Sequence, residues 1–361
     1  MAMALAILFF ASGCAYVGDS TNESVDGAAD AVSDAEAKAR SAALAARAFS
    51  SFGPLPSSVP NLQNVGIPAK IDLGRMLYYD KRLSKNHDIS CNSCHMLDAF
   101  GVDGEPTSPG HRGQRGGRNS PTVFNAATHI AQFWDGREPD VEAQAKGPIL
   151  NPIEMAAPSE AYIVDVLSSI PGYVTAFNSA FSTEINPLTY DNMARAIGAF
   201  ERELTTPGRF DSFMTGDLTA LNAAEQRGLD TFLTVGCHTC HIGTAVGGTQ
   251  YRKLGMVFPY ETADRGREDV TGSEADRHVF KVPALRNVAE TGPYFHDGSI
   301  ADLSEVVRIM GYHQLGQTLS DAQVSDVVAF LGSLTGEVDA DYVAIPVLPE
   351  SGPNTPAPDP S

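Results

Sequence analysis

Apolar residues recur at helical spacing in separate segments of this chain, and the order of the segments repeats. Pro68 can start a helix that carries Ile71, Leu73, Met76 and Leu77 on one side. Helical periodicity returns over Ala161–Ile170 and Asn192–Leu204. Between His95 and Pro121 the sequence is rich in Gly, Pro and Arg without apolar periodicity, which predicts a long loop of the kind that carries function. The second half follows the same plan: a helix from about Thr219 to Thr234, a loop-rich passage to PYFHDG at 293–298, then helices over Leu303–Met310 and Gln323–Leu334. Ser320 and Gln323 have capping-box spacing for the last helix. The closing helices are alike, AIGAFEREL at 196–204 against DVVAFLGSL at 326–334. Two copies of helix, loop and closing helix predict an all-α chain of two domains.

The ends read differently. The apolar run Met3–Ala11 is too short to span a bilayer, and ASGC follows it, ending at Cys14. Residues 1–14 therefore resemble a bacterial lipoprotein-type signal in which Cys14 takes the lipid, although no Lys or Arg precedes the run and a plain cleaved signal remains the alternative. Either reading implies export. Residues 15–53 are polar, acidic and alanine-rich, with no aromatic between Tyr16 and Phe49, and are expected to form an acidic flexible tether with a transient helix around Ala35–Ala48.

A length of 361 residues accommodates two ordinary domains, and 43% hydrophobic with 19% charged residues suits a soluble protein. The formal net charge of -19 argues against nucleic acid or an anionic lipid surface as partner. It favours a redox partner with a neutral or basic docking face.

Four of the five cysteines fall in two CxxCH pentapeptides, CNSCH at Cys91–His95 and CHTCH at Cys237–His241. In CxxCH each sulfur can add to a haem vinyl group, and the histidine that follows becomes the proximal iron ligand. The chain is thus read as two cytochrome c-like domains, each enclosing one covalent c-type haem, held by Cys91, Cys94 and His95 and by Cys237, Cys240 and His241. A zinc site built from the two CxxC pairs is the bland alternative; the histidine after each pair and the export signal argue against it.

Over roughly Pro54 to Gly336 the sequence resembles the bacterial di-haem cytochrome c peroxidases, which are related to MauG-type enzymes. The strings CNSCH, PTSPGH, RNSPTVFNA, QFWDGR, EAQAKGPILNPIEM, FKVPALRN, PYFHDGS and IMGYHQLG occur in the family's order. The resemblance implies an N-terminal peroxidatic haem domain at 54–213, a C-terminal electron-transfer haem domain at 214–337, and a Pro-containing tail at 338–361 that packs back on the first domain or trails free. It implies reduction of hydrogen peroxide to water in the periplasm, with electrons from a small cytochrome c or copper protein entering at the C-terminal haem, and a homodimer. Lipidated Cys14 would anchor the protein to a membrane.

The resemblance also implies site residues. His111 is the expected sixth ligand of the first haem, one that leaves when the other haem is reduced. Met310 is the expected sixth ligand of the second; Met256, His296 and His313 are its rivals, and core filling is the ordinary use of such a methionine. Met310 favours the peroxidase branch, since MauG-type enzymes carry tyrosine at that place. Glu154 falls on the family's acid/base position, where the alternative is a carboxylate near a helix start. Gln144 would hydrogen-bond peroxide, and Trp134, the single tryptophan, would pass electrons between haems as well as pack. Arg137 would pair with a haem propionate or a carboxylate. A calcium ion is implied at Asn119, Thr291 and Pro293. The rival functions are a di-haem electron carrier without peroxidase activity and a MauG-like oxidase of a protein substrate.

Overall fold

The computed structural model describes residues 22–361, with side chains from 33 onward. Cys14 and the expected signal lie outside the described residues. In chain order the helices are α1 (Asn22–Ser51), α2 (Pro68–Tyr79), α3 (Cys91–Cys94), α4 (Val141–Gln144), α5 (Lys146–Leu150), α6 (Glu160–Ser168), α7 (Pro171–Ala180), α8 (Tyr190–Glu201), α9 (Arg209–Met214) and α10 (Ala223–Val235). After strand β1 (Tyr251–Lys253) come α11 (Glu268–Thr271), strand β2 (Val279–Lys281), α12 (Leu303–Leu315), α13 (Asp321–Gly332) and α14 (Ala340–Val343). Compact packing begins at Leu44, and residues 44–361 form one unit. Among the described residues no helix is long and apolar enough to cross a membrane.

Two apolar cores account for the repeated plan. One gathers Leu73 and Leu77 of α2, Ile163 and Val166 of α6, Phe177 of α7, and Ile197 and Phe200 of α8. The other gathers Phe210 and Phe213 of α9, Leu229 and Phe232 of α10, Val307 of α12, and Val327 and Phe330 of α13. The same device closes both. A Cβ at Gly74 would sit inside the Ala196 carbonyl, so α2 and α8 cross with backbones touching; a Cβ at Gly228 would sit inside the Asp326 carbonyl, so α10 and α13 do likewise. Ala196 and Asp326 open the two similar closing sequences, each followed four residues later by a core Phe.

Three features differ from expectation. The segment expected as a tether is helical through Ser51, and its end belongs to the core: Leu44, Ala45, Ala48 and Phe52 are buried against the second cluster. Their spacing of one, four and eight residues makes an apolar stripe, and Phe52 packs edge-on to Phe210 at 5.7 Å. Phe210 and Phe213, expected in the first domain, lie in that second cluster too. The fold is also not purely α. β1 and β2 pair antiparallel, Arg252 opposite Phe280, in a ladder too short to leave a period-two signature in the sequence.

The tail packs back on the first half. The Tyr342 ring stacks on Phe200 at 5.1 Å, Arg75 Nε donates to the Ala344 carbonyl at 2.8 Å, and Arg82 Nη1 donates to Ser351 Oγ at 2.9 Å. Farther on, Lys85 Nζ donates to the Ser361 carbonyl at 2.7 Å.

The most buried ion pair joins α9 to the loop after β2. Arg286, 1% exposed, donates from both terminal nitrogens to the two Asp211 oxygens at 2.7 Å each. Asp211 also accepts from the Leu55 and Gly208 amides at 2.8 Å. Removing one member leaves an uncompensated buried charge. Arg286→Met is expected to cost about 3–5 kcal/mol in urea unfolding followed by circular dichroism; a loss under about 1 kcal/mol would show that the carboxylate finds other partners.

Candidate active site

Each CxxCH motif folds as one tight turn, which brings its two thiols to one side. In α3 the turn is closed by a capping box between Ser90 and Ser93, and the His95 amide donates to the Cys91 carbonyl at 3.0 Å. In the second motif Gly236, at φ 102°, ends α10 and starts the turn, and the His241 amide donates to the Cys237 carbonyl at 3.1 Å. Burial pushes the Cys94 thiol up to about 11 and the Cys237 thiol up to about 12.

The second motif opens on a cavity lined by Cys237, Cys240, His241 and Met310. His241 Nδ1 donates to the Pro283 carbonyl at 3.2 Å, which leaves Nε2 as a lone-pair donor. Burial lowers the His241 pKa to about 4, so the ring stays neutral and able to bind a metal. Two thiols, a neutral imidazole of fixed tautomer and an apolar cavity fit a covalently attached haem. Of the four residues considered for the sixth position, Met310 and His296 line this cavity. His296 Nε2 is engaged by the Thr262 hydroxyl at 3.0 Å, His313 Nδ1 by the Phe258 carbonyl at 3.0 Å, and Met256 is 53% exposed.

In the first half His95 is half-buried, desolvation lowers its pKa, and its Nδ1 lacks a hydrogen-bond partner among the described residues. His111 and Glu154 are brought together through the backbone: the His111 amide donates to the Glu154 carbonyl at 2.7 Å. Gly110 permits this approach, since a Cβ there would sit inside the Ile153 carbonyl. His111 is buried, and its Nε2 donates to the Ser361 carbonyl at 3.2 Å, a partner 250 residues away. The loop that carries His111 is thus held at backbone and ring in this structure. Burial raises the Glu154 pKa, partly offset by Arg137 and by a 2.8 Å hydrogen bond from Asn151. Gln144 ends α4, which Glu142 fastens to α8: Glu142 accepts from Arg202 at 2.8 and 2.7 Å. Arg137 pairs with Asp135 and covers the Phe133 ring at 3.4 Å.

Trp134 stands where the halves meet. Its Nε1 donates to the Asn119 carbonyl at 2.9 Å, its own carbonyl accepts from the Lys281 amide at 2.8 Å, and its ring meets His296 edge-on at 6.5 Å. Asn119, Thr291 and Pro293 line the same cavity as Trp134. Asn119 Nδ2 donates to the Glu105 carbonyl at 3.0 Å, which leaves its amide oxygen for a cation. An amide oxygen and backbone carbonyls are a donor set that suits calcium.

Glu201 escaped the sequence reading. It is 5% exposed, and burial raises its pKa to about 8, with Glu142 adding to the shift. Its position four residues after Ile197, on the apolar face of a closing helix, was the available signal.

Residues 68–219 match the sequence model of the family described as di-haem cytochrome c peroxidase. The chain is 48% identical over 288 residues to a cytochrome c551 peroxidase of Nitrosomonas europaea, covering 79% of this chain and 85% of that one. It is 44% identical over 327 residues to a cytochrome c551 peroxidase of Pseudomonas aeruginosa, covering 89% and 94%. A crystal structure of a MauG-like protein associated with microbial copper homeostasis is 29% identical and superposes with a TM-score of 0.72 over 81% of this chain and 97% of that one.

Two outcomes follow from the geometry. Gly110→Ala should part the His111 loop from the 153–154 segment, read as faster hydrogen exchange at the His111 amide; unchanged exchange would contradict the close approach. Glu201 binds its proton more tightly folded than unfolded, so its contribution is complete below the ordinary carboxylate range and lost as pH rises through about 8. Glu201→Gln should flatten the fall of stability between about pH 5 and 9, and parallel slopes for both proteins would disprove it.

Proposed function

Because the chain belongs to the di-haem cytochrome c peroxidase family, we propose that it reduces hydrogen peroxide to water with electrons from a small periplasmic cytochrome c or copper protein. The observation that carries this reading for the individual residues is the pairing of a half-buried carboxyl of raised pKa, Glu154, with the His111 backbone next to the first CxxCH turn. Each half is proposed to hold one haem c: Cys91, Cys94 and His95 in the first, and Cys237, Cys240, His241 and Met310 in the second. Bound there, the haems supply one-electron storage and the peroxide-cleaving chemistry.

The protein's own groups do the rest. Splitting peroxide needs a proton removed from one oxygen and delivered to the other; two further protons and two electrons complete two waters. Glu154 is assigned this transfer, since burial keeps its proton affinity closer to neutral pH than that of a solvated carboxylate. Gln144, whose side-chain amide forms no hydrogen bond with another described residue, is assigned to orient the peroxide. His111 is the residue that yields its place to substrate, moving about the Gly110 and Gly113 positions that flank it. Trp134, bonded to both halves, lies on the proposed electron path from the second half to the first. Asn119, Thr291 and Pro293 are proposed to hold calcium at this junction, and its carbonyl ligands would tie the junction's geometry to His111 release. Export to the periplasm, a Cys14 lipid anchor and a homodimer complete the reading.

Glu154→Gln keeps the shape and removes the proton. Peroxide turnover should fall by about 10²–10⁴-fold with both haem spectra retained. Full activity in the variant would remove Glu154 from the mechanism, and a half-reduced protein with two low-spin haems and no peroxide consumption would make the chain an electron carrier.

A further inference from the structure

His129 and Lys281 form a polar pair inside the cavity of the second half, and nothing in the proposed chemistry uses them. Lys281 is 6% exposed, and its Nζ lies 3.2 Å from His129 Nδ1. Among the described residues no carboxylate pairs with it, and burial alone lowers its pKa to about 8. His129 Nε2 is buried without a hydrogen-bond partner among the described residues. Both side chains line the cavity that contains Cys237, Cys240, His241 and Met310.

The pair is held firmly from both directions. The Lys281 amide donates to the Trp134 carbonyl at 2.8 Å, and Lys281 pairs with Tyr251 across the β ladder. The Ile130 amide donates to the Gly248 carbonyl at 2.9 Å, while the Gly248 amide donates to the Val282 carbonyl at 2.8 Å. A Cβ at Gly248, where φ is +75°, would collide with the His129 ring, so the glycine makes room for it.

This arrangement has a definite chemical preference. The ammonium donates to Nδ1, which puts the imidazole proton on Nε2. His129 Nε2 is shut off beside Gly248, so what the cavity wall offers is the ammonium, with its remaining N–H groups and a positive charge with no anion opposite, an expensive arrangement unless a ligand supplies one. A carboxylate matches the ammonium's free N–H groups and its charge.

We propose that Lys281, its ammonium positioned by His129, binds a propionate carboxylate of the haem attached at Cys237 and Cys240, and that the buried cation holds that haem's potential high. The inference rests on the haem assignment made above. A fixed cation beside a haem favours the reduced form, which suits the half assigned to receive electrons.

The test uses the purified holoprotein with Lys281→Met, Lys281→Arg and His129→Leu, and reads haem content, the midpoint potential of each haem, and the propionate bending band in resonance Raman spectra. Lys281→Met should lower the potential of the C-terminal haem and shift its propionate band, and Lys281→Arg should restore both. His129→Leu should shift the band with a smaller change of potential. An unchanged potential and band in Lys281→Met, with both haems attached, overturns the proposal. Should Lys281→Met fail to accumulate, an unchanged band in His129→Leu overturns it instead. Wild-type protein lacking haem at Cys237 and Cys240 would refute the underlying assignment, an outcome that haem content separates from the others.

Discussion

The seam between the halves is the constraint on which the rest depends. Residues 118–135 of the first half lie along 248–296 of the second, stitched by main-chain bonds from Asn119 to His296, Ile130 to Gly248 and Lys281 to Trp134. Arg118 reinforces the seam by donating to Asp264 at 2.7 and 2.8 Å and to Asp135 on the other side. Backbone bonds of this kind fix position more tightly than side-chain packing, because neither partner has a rotamer to change. Trp134, Asn119 and Lys281 are therefore parts of one wall, and displacement of any of them is transmitted to the others.

Much of the architecture was legible because its causes are local. Helical periodicity located α2, α6, α8, α10, α12 and α13, and the spacing of CxxCH located both tight turns. Boundaries moved where caps outweighed periodicity: Asn222, not Thr219, starts α10, because its side chain accepts from the Ala224 and Glu225 amides. The matched glycines Gly74 and Gly228 show why the repeat holds despite different sequences between them. Each half needs one place where two helices approach without a side chain.

What was not legible depends on partners distant in sequence. The end of α1 looked too polar to pack, yet a stripe of four apolar residues suffices once the second core presents Phe210 and Phe232. Lys281 and His129 carry polar groups in apolar surroundings, and no periodic pattern marks their positions, whereas Glu201 at least falls on the apolar face of α8. The burial of Lys281 and His129 becomes intelligible only when the cavity walls are assembled from both halves. Met310 stood ahead of His296 on the string IMGYHQLG, and the Thr262 hydroxyl that engages His296 Nε2 was not visible in the sequence.

The contact between Ser361 and His111 bears on how samples of this protein are prepared. A purification tag or fluorescent reporter fused after Ser361 would begin beside the ring nitrogen of His111, where the carbonyl now sits at 3.2 Å. A polyhistidine tag at that point would bring extra imidazoles to the loop proposed to exchange an iron ligand. Any group placed at Ser361 is then a chemical variable for the His111 loop.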